Sequence, residues 1–417
     1  MKKVIYSILC FLSCSFYSNY ANAVDINISA KKILGNPQYK AICYGGYRTA
    51  SRNVVPTVEE IKEDLKILAA LKYKVLRTYN VHYKEVHHLL EAITQLKKEQ
   101  PSFEMYVMLG AWIDCKNAWT EKPPIHDQQS ERNATEIAEA VRLANQYPSI
   151  IKIIAVGNEA IVKWTTAYYV TPNIILQWVK HLQGLKKKGK LSKNLWITSS
   201  DNFASWGGGD TSYHTKDLNE LIKTVDYISL HIYPMHGTHY NPVFWGVNKN
   251  SEQLTEKEKI DAAMLKARDY AITQYKNVVN YIHKLGVKKS VHIGETGWAT
   301  QCNELYGKQG SKATDEYKAA AYFNLINKWA NSQKIHCFYF EAFDENWKHG
   351  SNPLHSENHF GLINMNGEAK YVLWKLVDKN IFKGLTRNGK SITKTYNGKE
   401  DLLWQDVLTP TNILKDY

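Results

Sequence analysis

The chain has 417 residues, 44% of them apolar, and 53 Lys and Arg against 40 Asp and Glu give a net charge of +13. That apolar share is ample for a sizeable core and excludes a disordered chain. The basic surplus lies largely in helix-like segments such as Lys186-Lys187-Lys188-Gly189-Lys190, which read as solvated helix ends with cations at the C-terminal dipole, so no nucleic-acid partner is expected.

The chain begins with Lys2 and Lys3, an uncharged apolar stretch from Val4 to Phe16, and small residues at Ala21-Asn22-Ala23. This pattern predicts a signal peptide over residues 1–23, with cleavage after about Ala23. The stretch is short for a membrane span and no later apolar run approaches that length. A secreted or periplasmic monomer is expected, with a lipid-anchored form through Cys14 as the lesser alternative.

Apolar, β-branched runs predict strands near Ala41–Gly45, Lys74–Tyr79, Met105–Gly110, Ile151–Gly157, Leu195–Ser200, Tyr227–Ile232, Ser290–Gly294 and His336–Phe343. Between them, Thr57-Val58-Glu59-Glu60 has the form of a capping box opening a helix through Leu71. Val86, Leu89, Leu90, Ile93 and Leu96 keep helical spacing. Further helices fit Glu131–Gln146, Thr171–Leu185, Thr215–Lys223, Glu256–Lys284 and Ala313–Ser332. Eight alternating units with strands apolar on both faces predict an α/β fold, a closed (β/α)8 TIM barrel over residues 24–380. A basic tail over 381–417 is expected to pack on it. No glycine-rich phosphate loop follows the first strand, and no serine-nucleophile elbow occurs.

Four cysteines lie beyond the leader. Cys43 and Cys337 fall inside predicted strands and read as small core residues. Cys115 and Cys302 each follow a strand end by a few positions, so an exported protein could bridge them, and the sequence leaves that pairing open. The spacing of the four fits no zinc site, so no metal or other cofactor is expected.

Two predicted strands end on a carboxylate. The run Ile150 to Val156 leads through Gly157 and Asn158 into Glu159, and Val291 and Ile293 lead into Glu295. A glutamate at the mouth of a core strand is costly unless it is partnered or used. Two of them brought together by a closed sheet suit glycoside hydrolysis, where an acid/base and a nucleophile flank the scissile bond. For Glu159 alone, capping the next helix or pairing with Lys163 is the plain alternative. Asn158 is placed to bond the sugar hydroxyl beside the reacting carbon. In the segment from Phe338 to Lys348, Glu345 and Lys348 could form a structural ion pair or contact sugar hydroxyls, and Trp347 could pack or stack on a pyranose. Trp112, Trp206 and Trp298 also follow strand ends on the expected working face.

From about Tyr44 to Leu362 these motifs resemble glycoside hydrolase family 17, the β-1,3-glucanases and related transglycosylases. Gly157-Asn158-Glu159 is similar to that family's acid/base motif, and Gly294-Glu295-Thr296-Gly297-Trp298 to its nucleophile motif. Arg77-Thr78-Tyr79 and Ile232-Tyr233-Pro234 resemble segments whose tyrosines line the cleft and adjoin the nucleophile. Phe343-Asp344-Glu345-Asn346-Trp347-Lys348, followed by Glu357 ahead of Phe360-Gly361-Leu362, resembles a region holding an auxiliary glutamate, a lysine and a second glutamate. The resemblance implies retention of configuration without a metal. It makes Glu159 and Glu295 catalytic, with Tyr79, Asn158, Tyr233, Trp298, Glu345, Trp347, Lys348 and Glu357 shaping the substrate site. The expected reaction is endo-hydrolysis of laminarin-like β-1,3-glucan. A glucanosyltransferase using the same residues and a non-catalytic glucan-binding barrel are the alternatives.

Overall fold

The computed structural model describes residues 28–246 and 253–410. The expected signal peptide and residues 411–417 of the expected tail lie outside the described residues.

Eight parallel strands close into a barrel in chain order: β1 (Lys40–Cys43), β2 (Tyr73–Arg77), β3 (Tyr106–Ala111), β4 (Ile151–Asn158), β5 (Trp196–Asn202), β6 (Ile228–His231), β7 (Val291–Thr296) and β8 (Cys337–Tyr339). The seam pairs Ala41 with Phe338 and Ile42 with Tyr339. Strand residues are buried on both faces, as in β4, where Ile151 to Gly157 are all covered. This is the pattern required of a parallel sheet filled inside and wrapped by helices outside.

Each strand is followed by a helix: α1 (Val58–Ala70), α2 (Lys84–Glu99), α3 (Arg132–Gln146), α4 (Pro172–Lys187), α5 (Lys216–Thr224), α6 (Glu256–Lys284), α7 (Glu316–Ser332) and the short α8 (Trp374–Asp378). The capping box of α1 is formed: Glu60 N–H donates to Thr57 Oγ1 at 3.2 Å, and Thr57 N–H donates to Glu60 Oε2 at 2.7 Å. Thr255 and Glu258 make a second such box at the start of α6. These reciprocal bonds satisfy amide donors that a helix start leaves without partners.

Two expectations are corrected. β8 pairs only as far as Tyr339, short of the predicted Phe343. Beyond it the regular ladder gives way to scattered bonds: Ala342 N–H donates to the Cys43 carbonyl at 3.1 Å and Asp344 N–H to the Ile363 carbonyl at 2.9 Å, while Asp344 Oδ1 accepts from Lys370 Nζ at 2.7 Å and from Gly361 N–H at 2.8 Å. Cys115 and Cys302 are not bridged, and Cys43, Cys115, Cys302 and Cys337 are all free thiols. Cys115 follows β3 and Cys302 follows β7, and strands four places apart in an eight-stranded ring face each other across the barrel. A disulfide needs Cα atoms within about 7 Å of each other, and the two loops that carry these cysteines rise from opposite sides of the barrel.

The region after α8 packs along the barrel. Thr386–Arg387 and Lys390–Ser391 form a short antiparallel pair, and Trp404 of a final helical turn lies 4.7 Å from the ring of Tyr317. Arg387 is fully buried. Its Nε donates to Asp64 Oδ1 at 3.0 Å, and Asp64, on α1, also accepts from Arg48 at 2.8 Å and from the Tyr44 hydroxyl at 3.1 Å. Removing one member of such a network leaves buried charge without compensation. Asp64→Ala should therefore lose about 3–5 kcal/mol of stability in urea unfolding; a loss below about 1 kcal/mol would show that the network is not holding this region to α1.

Candidate active site

The C-terminal ends of the strands gather the charged residues. Glu295 lies on β7 and is buried, its side chain 9% exposed. Arg77, at the end of β2, donates from NH1 to Glu295 Oε2 at 2.6 Å and to the Gly294 carbonyl at 2.9 Å. The Tyr79 hydroxyl donates to Glu295 Oε2 at 2.9 Å, and the Tyr233 hydroxyl donates to Oε1 at 2.6 Å. Burial by itself raises this carboxyl, but the His231 and Arg77 charges and the two tyrosine hydrogen bonds outweigh it. They hold Glu295 at about 2, against an ordinary value of 4.5. At neutral pH the group is an ionised carboxylate with its lone pairs fixed by three donors.

Glu159 follows β4 directly. Its side chain is 23% exposed, and its Oε1 lies 3.1 Å from His231 Nδ1. The backbone around it is bent. Gly157 has φ +79°, β4 shifts register between Ala155 and Asn158, and Glu159 itself has φ +45°. A side-chain-bearing residue in the left-handed region costs energy, and such residues concentrate at functional sites. Here the bend is fixed by the Glu159 N–H donating to the Ser200 carbonyl at 3.0 Å. Gly157 has no freedom to change, because a Cβ there would come within 2.9 Å of the Ala160 Cβ.

His231, fully buried at the end of β6, joins the two carboxylates. Its Nδ1 is 3.1 Å from Glu159 Oε1 and 4.0 Å from Glu295 Oε1, so those oxygens lie at most about 7 Å apart (3.1 plus 4.0 Å). Its Nε2 is 2.7 Å from Ser200 Oγ, which is 2.7 Å from Ser229 Oγ. The hydroxyl pair on Nε2 thereby bears on whether Nδ1 presents a proton or a lone pair to Glu159. Gly294 makes room for this pair: a Cβ there would sit 2.0 Å from Ser229 Oγ and 2.6 Å from Ser200 Oγ.

Of the other residues singled out from sequence, Asn158 Oδ1 accepts from Arg77 NH2 at 2.5 Å, which leaves its amide N–H groups to donate elsewhere. Lys348 Nζ pairs with Glu341 and lies 3.4 Å from Glu345 Oε2, above the Phe340 ring. The ion pair expected between Glu345 and Lys348 is thus secondary to one with Glu341. Burial raises the Glu341 carboxyl well above its ordinary value, and the nearby Glu345 adds to that against the lowering by Lys348. Trp347 is half-buried, with Arg52 4.2 Å above its ring and Tyr47 against its edge. Glu357 lies in the loop after β8, within range of the Lys348 charge.

Trp298 does not face the cleft. It is 1% exposed, its indole N–H donates to the Ala313 carbonyl at 2.8 Å, and its ring lies between Trp245 and Tyr322. An indole so covered offers no face to a ligand. Trp206 is likewise core, donating to the Ser229 carbonyl at 3.0 Å. Arg77, His231 and Glu341 were missed as site residues from sequence alone. The available signal was a charged or titratable residue inside an otherwise apolar strand run.

A family profile, the BtgE/BtgC glycoside hydrolase domain, matches residues 41–361. The chain belongs to that glycoside hydrolase family. Among solved structures it is similar to an endo-laminarinase from Formosa Hel1_33_131, at 57% identity and a TM-score of 0.93, covering 94% of this chain and 99% of that one. It also resembles a Rhizomucor miehei β-1,3-glucanosyltransferase at 20% identity and a TM-score of 0.55, covering 80% of this chain and 96% of that one, a likeness of fold. Among curated proteins, a probable glucan endo-1,3-beta-glucosidase btgC of Aspergillus terreus is 22% identical over 70% of this chain and 38% of its own length. The chain thus spans about two fifths of that curated relative. The candidate site lies at the carboxyl ends of the strands, the face on which (β/α)8 enzymes build their active sites.

The depressed Glu295 carboxyl has a defined pH signature. It stabilises the folded protein at pH above the ordinary value of 4.5, and that contribution is lost as pH falls through about 2. Tyr79→Phe combined with Tyr233→Phe removes two of its donors. The Glu295 titration, followed by carbon-13 NMR of the labelled carboxyl, should move up by about one unit or more, equivalent to about 1.4 kcal/mol per unit. A titration that stays in place would mean that the tyrosines do not hold the charge.

Proposed function

We propose that this chain is an exported, endo-acting β-1,3-glucanase of the family 17 type, cleaving laminarin-like glucan by double displacement with retention. The observation that carries this reading is the pair of glutamates converging on one imidazole with opposite surroundings. Glu295 is buried, ionised and held by three donors. Glu159 is more exposed and meets a histidine able to serve as donor or acceptor.

In the first step a Glu295 oxygen attacks the anomeric carbon while Glu159 passes its proton to the departing glycosidic oxygen, leaving a glycosyl ester on Glu295. In the second, Glu159 takes a proton from water, which attacks the same carbon and releases Glu295 as carboxylate. Retaining enzymes space the carboxyl groups about 5–5.5 Å apart and inverting ones about 6.5–9.5 Å. An upper bound of about 7 Å between the two Oε1 atoms admits the retaining spacing and leaves only the lower edge of the inverting range. The amide N–H of Asn158 suits the hydroxyl beside the reacting carbon, a contact that strengthens as positive charge develops there. Glu345, Lys348, Trp347 and Glu357 line the β8 side, where a pyranose would meet both hydrogen-bonding groups and an indole. The name of the Formosa structure and the name of the Aspergillus terreus relative support β-1,3-glucan as the substrate. The leader-like residues 1–23 support export.

Glu295→Ala should lose turnover on laminarin, and added azide should restore cleavage of an activated aryl glycoside as a product of inverted configuration. Glu159→Ala should slow polymer cleavage by about a hundred- to ten-thousand-fold and an activated aryl glycoside far less. Wild-type polymer activity in either variant would remove that residue from its role. Product chains longer than the substrate would identify transfer to sugar in place of hydrolysis.

A further inference from the structure

The loop after β3 folds into a hairpin, Cys115–Lys116 against Ile125–Gln129, and carries Trp119 at its tip, 58% exposed. Trp119 is held at φ +63°, an uncommon conformation for a large side chain. Its ring stacks on Tyr168 of the β4–α4 loop, with centroids 5.1 Å apart and planes 22° from parallel. Trp112, at the base of the hairpin, lies 5.1 Å from Tyr168 and 6.5 Å from Trp119. The three rings form one continuous aromatic surface.

Backbone and side-chain bonds fix that surface. Cys115 N–H donates to the Tyr168 carbonyl at 3.1 Å, and Thr171 N–H donates to the His126 carbonyl at 3.0 Å. The His126 ring stacks on Tyr169 at 3.6 Å, and Trp178 Nε1 donates to Gln129 at 2.9 Å. The hairpin is therefore pinned along its length to the β4–α4 loop. Tyr168 lies against one face of the Trp119 ring, and the residue is still 58% exposed, although an exposed indole in water gains nothing from being held rigid.

The surface is also contiguous with the acid/base candidate. The Thr165 hydroxyl donates to the Glu159 carbonyl at 3.2 Å, and Tyr168 N–H donates to the Thr165 carbonyl at 3.0 Å. Two hydrogen-bonded turns, through Thr165, thus connect Glu159 to the residue on whose ring Trp119 lies. We infer that Trp112, Tyr168 and Trp119 form a stacking platform for β-linked glucose units on the leaving-group side of the cleaved bond. This deepens the β-glucanase reading and rests on it. The reason is directional: the residue that protonates the leaving oxygen faces the part of the chain that departs. A pyranose presents a C–H face that an indole or phenol ring covers well, and a rigid ring pays little entropy to bind it. A platform one or two sugars beyond the scissile bond adds grip on long chains and none on a substrate whose leaving group is a single aryl ring.

The test is Trp119→Ala, with Trp119→Phe as the conservative variant, since the tip position spares the core. On linear β-1,3-gluco-oligosaccharides of six units, Trp119→Ala should lose kcat/KM, mainly through KM, by at least fivefold more than on an aryl laminarioside. Trp119→Phe should recover most of that difference. Equal losses on both substrates, or no loss on either, overturn the platform. Tryptophan-fluorescence titration with the same oligosaccharides in a Glu295→Ala background reads binding without turnover, and there Trp119→Ala should raise Kd at least threefold. An unchanged Kd overturns the platform whatever the kinetics show. Retained Trp119-dependent binding in a wild-type protein that cleaves no β-1,3-glucan would overturn the hydrolytic reading and leave the platform standing.

Discussion

The structure turns on keeping one negative charge dry. Glu295 sits on a core strand, where an uncompensated carboxylate would carry a penalty of several kcal/mol. Arg77, Tyr79 and Tyr233 meet that penalty from β2 and β6, the strands and loops to either side of the barrel mouth. Arg77 is itself fully buried, so the two charges depend on each other. The same guanidinium reaches Asn158, which ties the end of β4 to the buried ion pair. Position and charge of the reactive group are thereby set by the closed sheet, before any ligand arrives.

Glu159 is built on different terms. It needs to hold a proton at one stage and lack it at another, so a fixed cage of donors like that around Glu295 would work against it. What it meets is His231, backed by Ser200 and Ser229, whose hydroxyls can exchange donor and acceptor roles without moving heavy atoms. The absence of a side chain at Gly294 is what lets that hydroxyl pair stand beside the nucleophile strand. Within Gly294-Glu295, the first residue thus serves the second glutamate's partner as much as it serves the turn of the strand.

Much of this arrangement was legible in the amino-acid order, and the parts that were not share a physical cause. The eight strands were visible as β-branched runs, and Glu159 and Glu295 stood out because a carboxylate ending such a run is costly. Arg77 and His231 lie inside the runs, and their worth depends on partners far along the chain; Arg77 and Glu295 are 218 positions apart. Local pattern cannot show such a pairing. Trp298 was misjudged because an indole just past a strand end reads the same whether it faces the cleft or folds beneath the rim. For Cys115 and Cys302 part of the signal was available: counting strands in a sequential barrel sets β3 opposite β7, which makes a bridge between their loops hard to close. The free Trp119 at the hairpin tip was hidden in a loop whose fold no periodicity announces.

The central claim is that Glu295 is the group that bonds to sugar. Incubation with an activated 2-deoxy-2-fluoro laminarioside, which slows release of the glycosyl ester, followed by peptide mass spectrometry, tests it most directly. The account predicts one sugar per chain, on the peptide bearing Glu295. A label on Glu159 or Glu341, or an enzyme that turns the reagent over with no label, would contradict it.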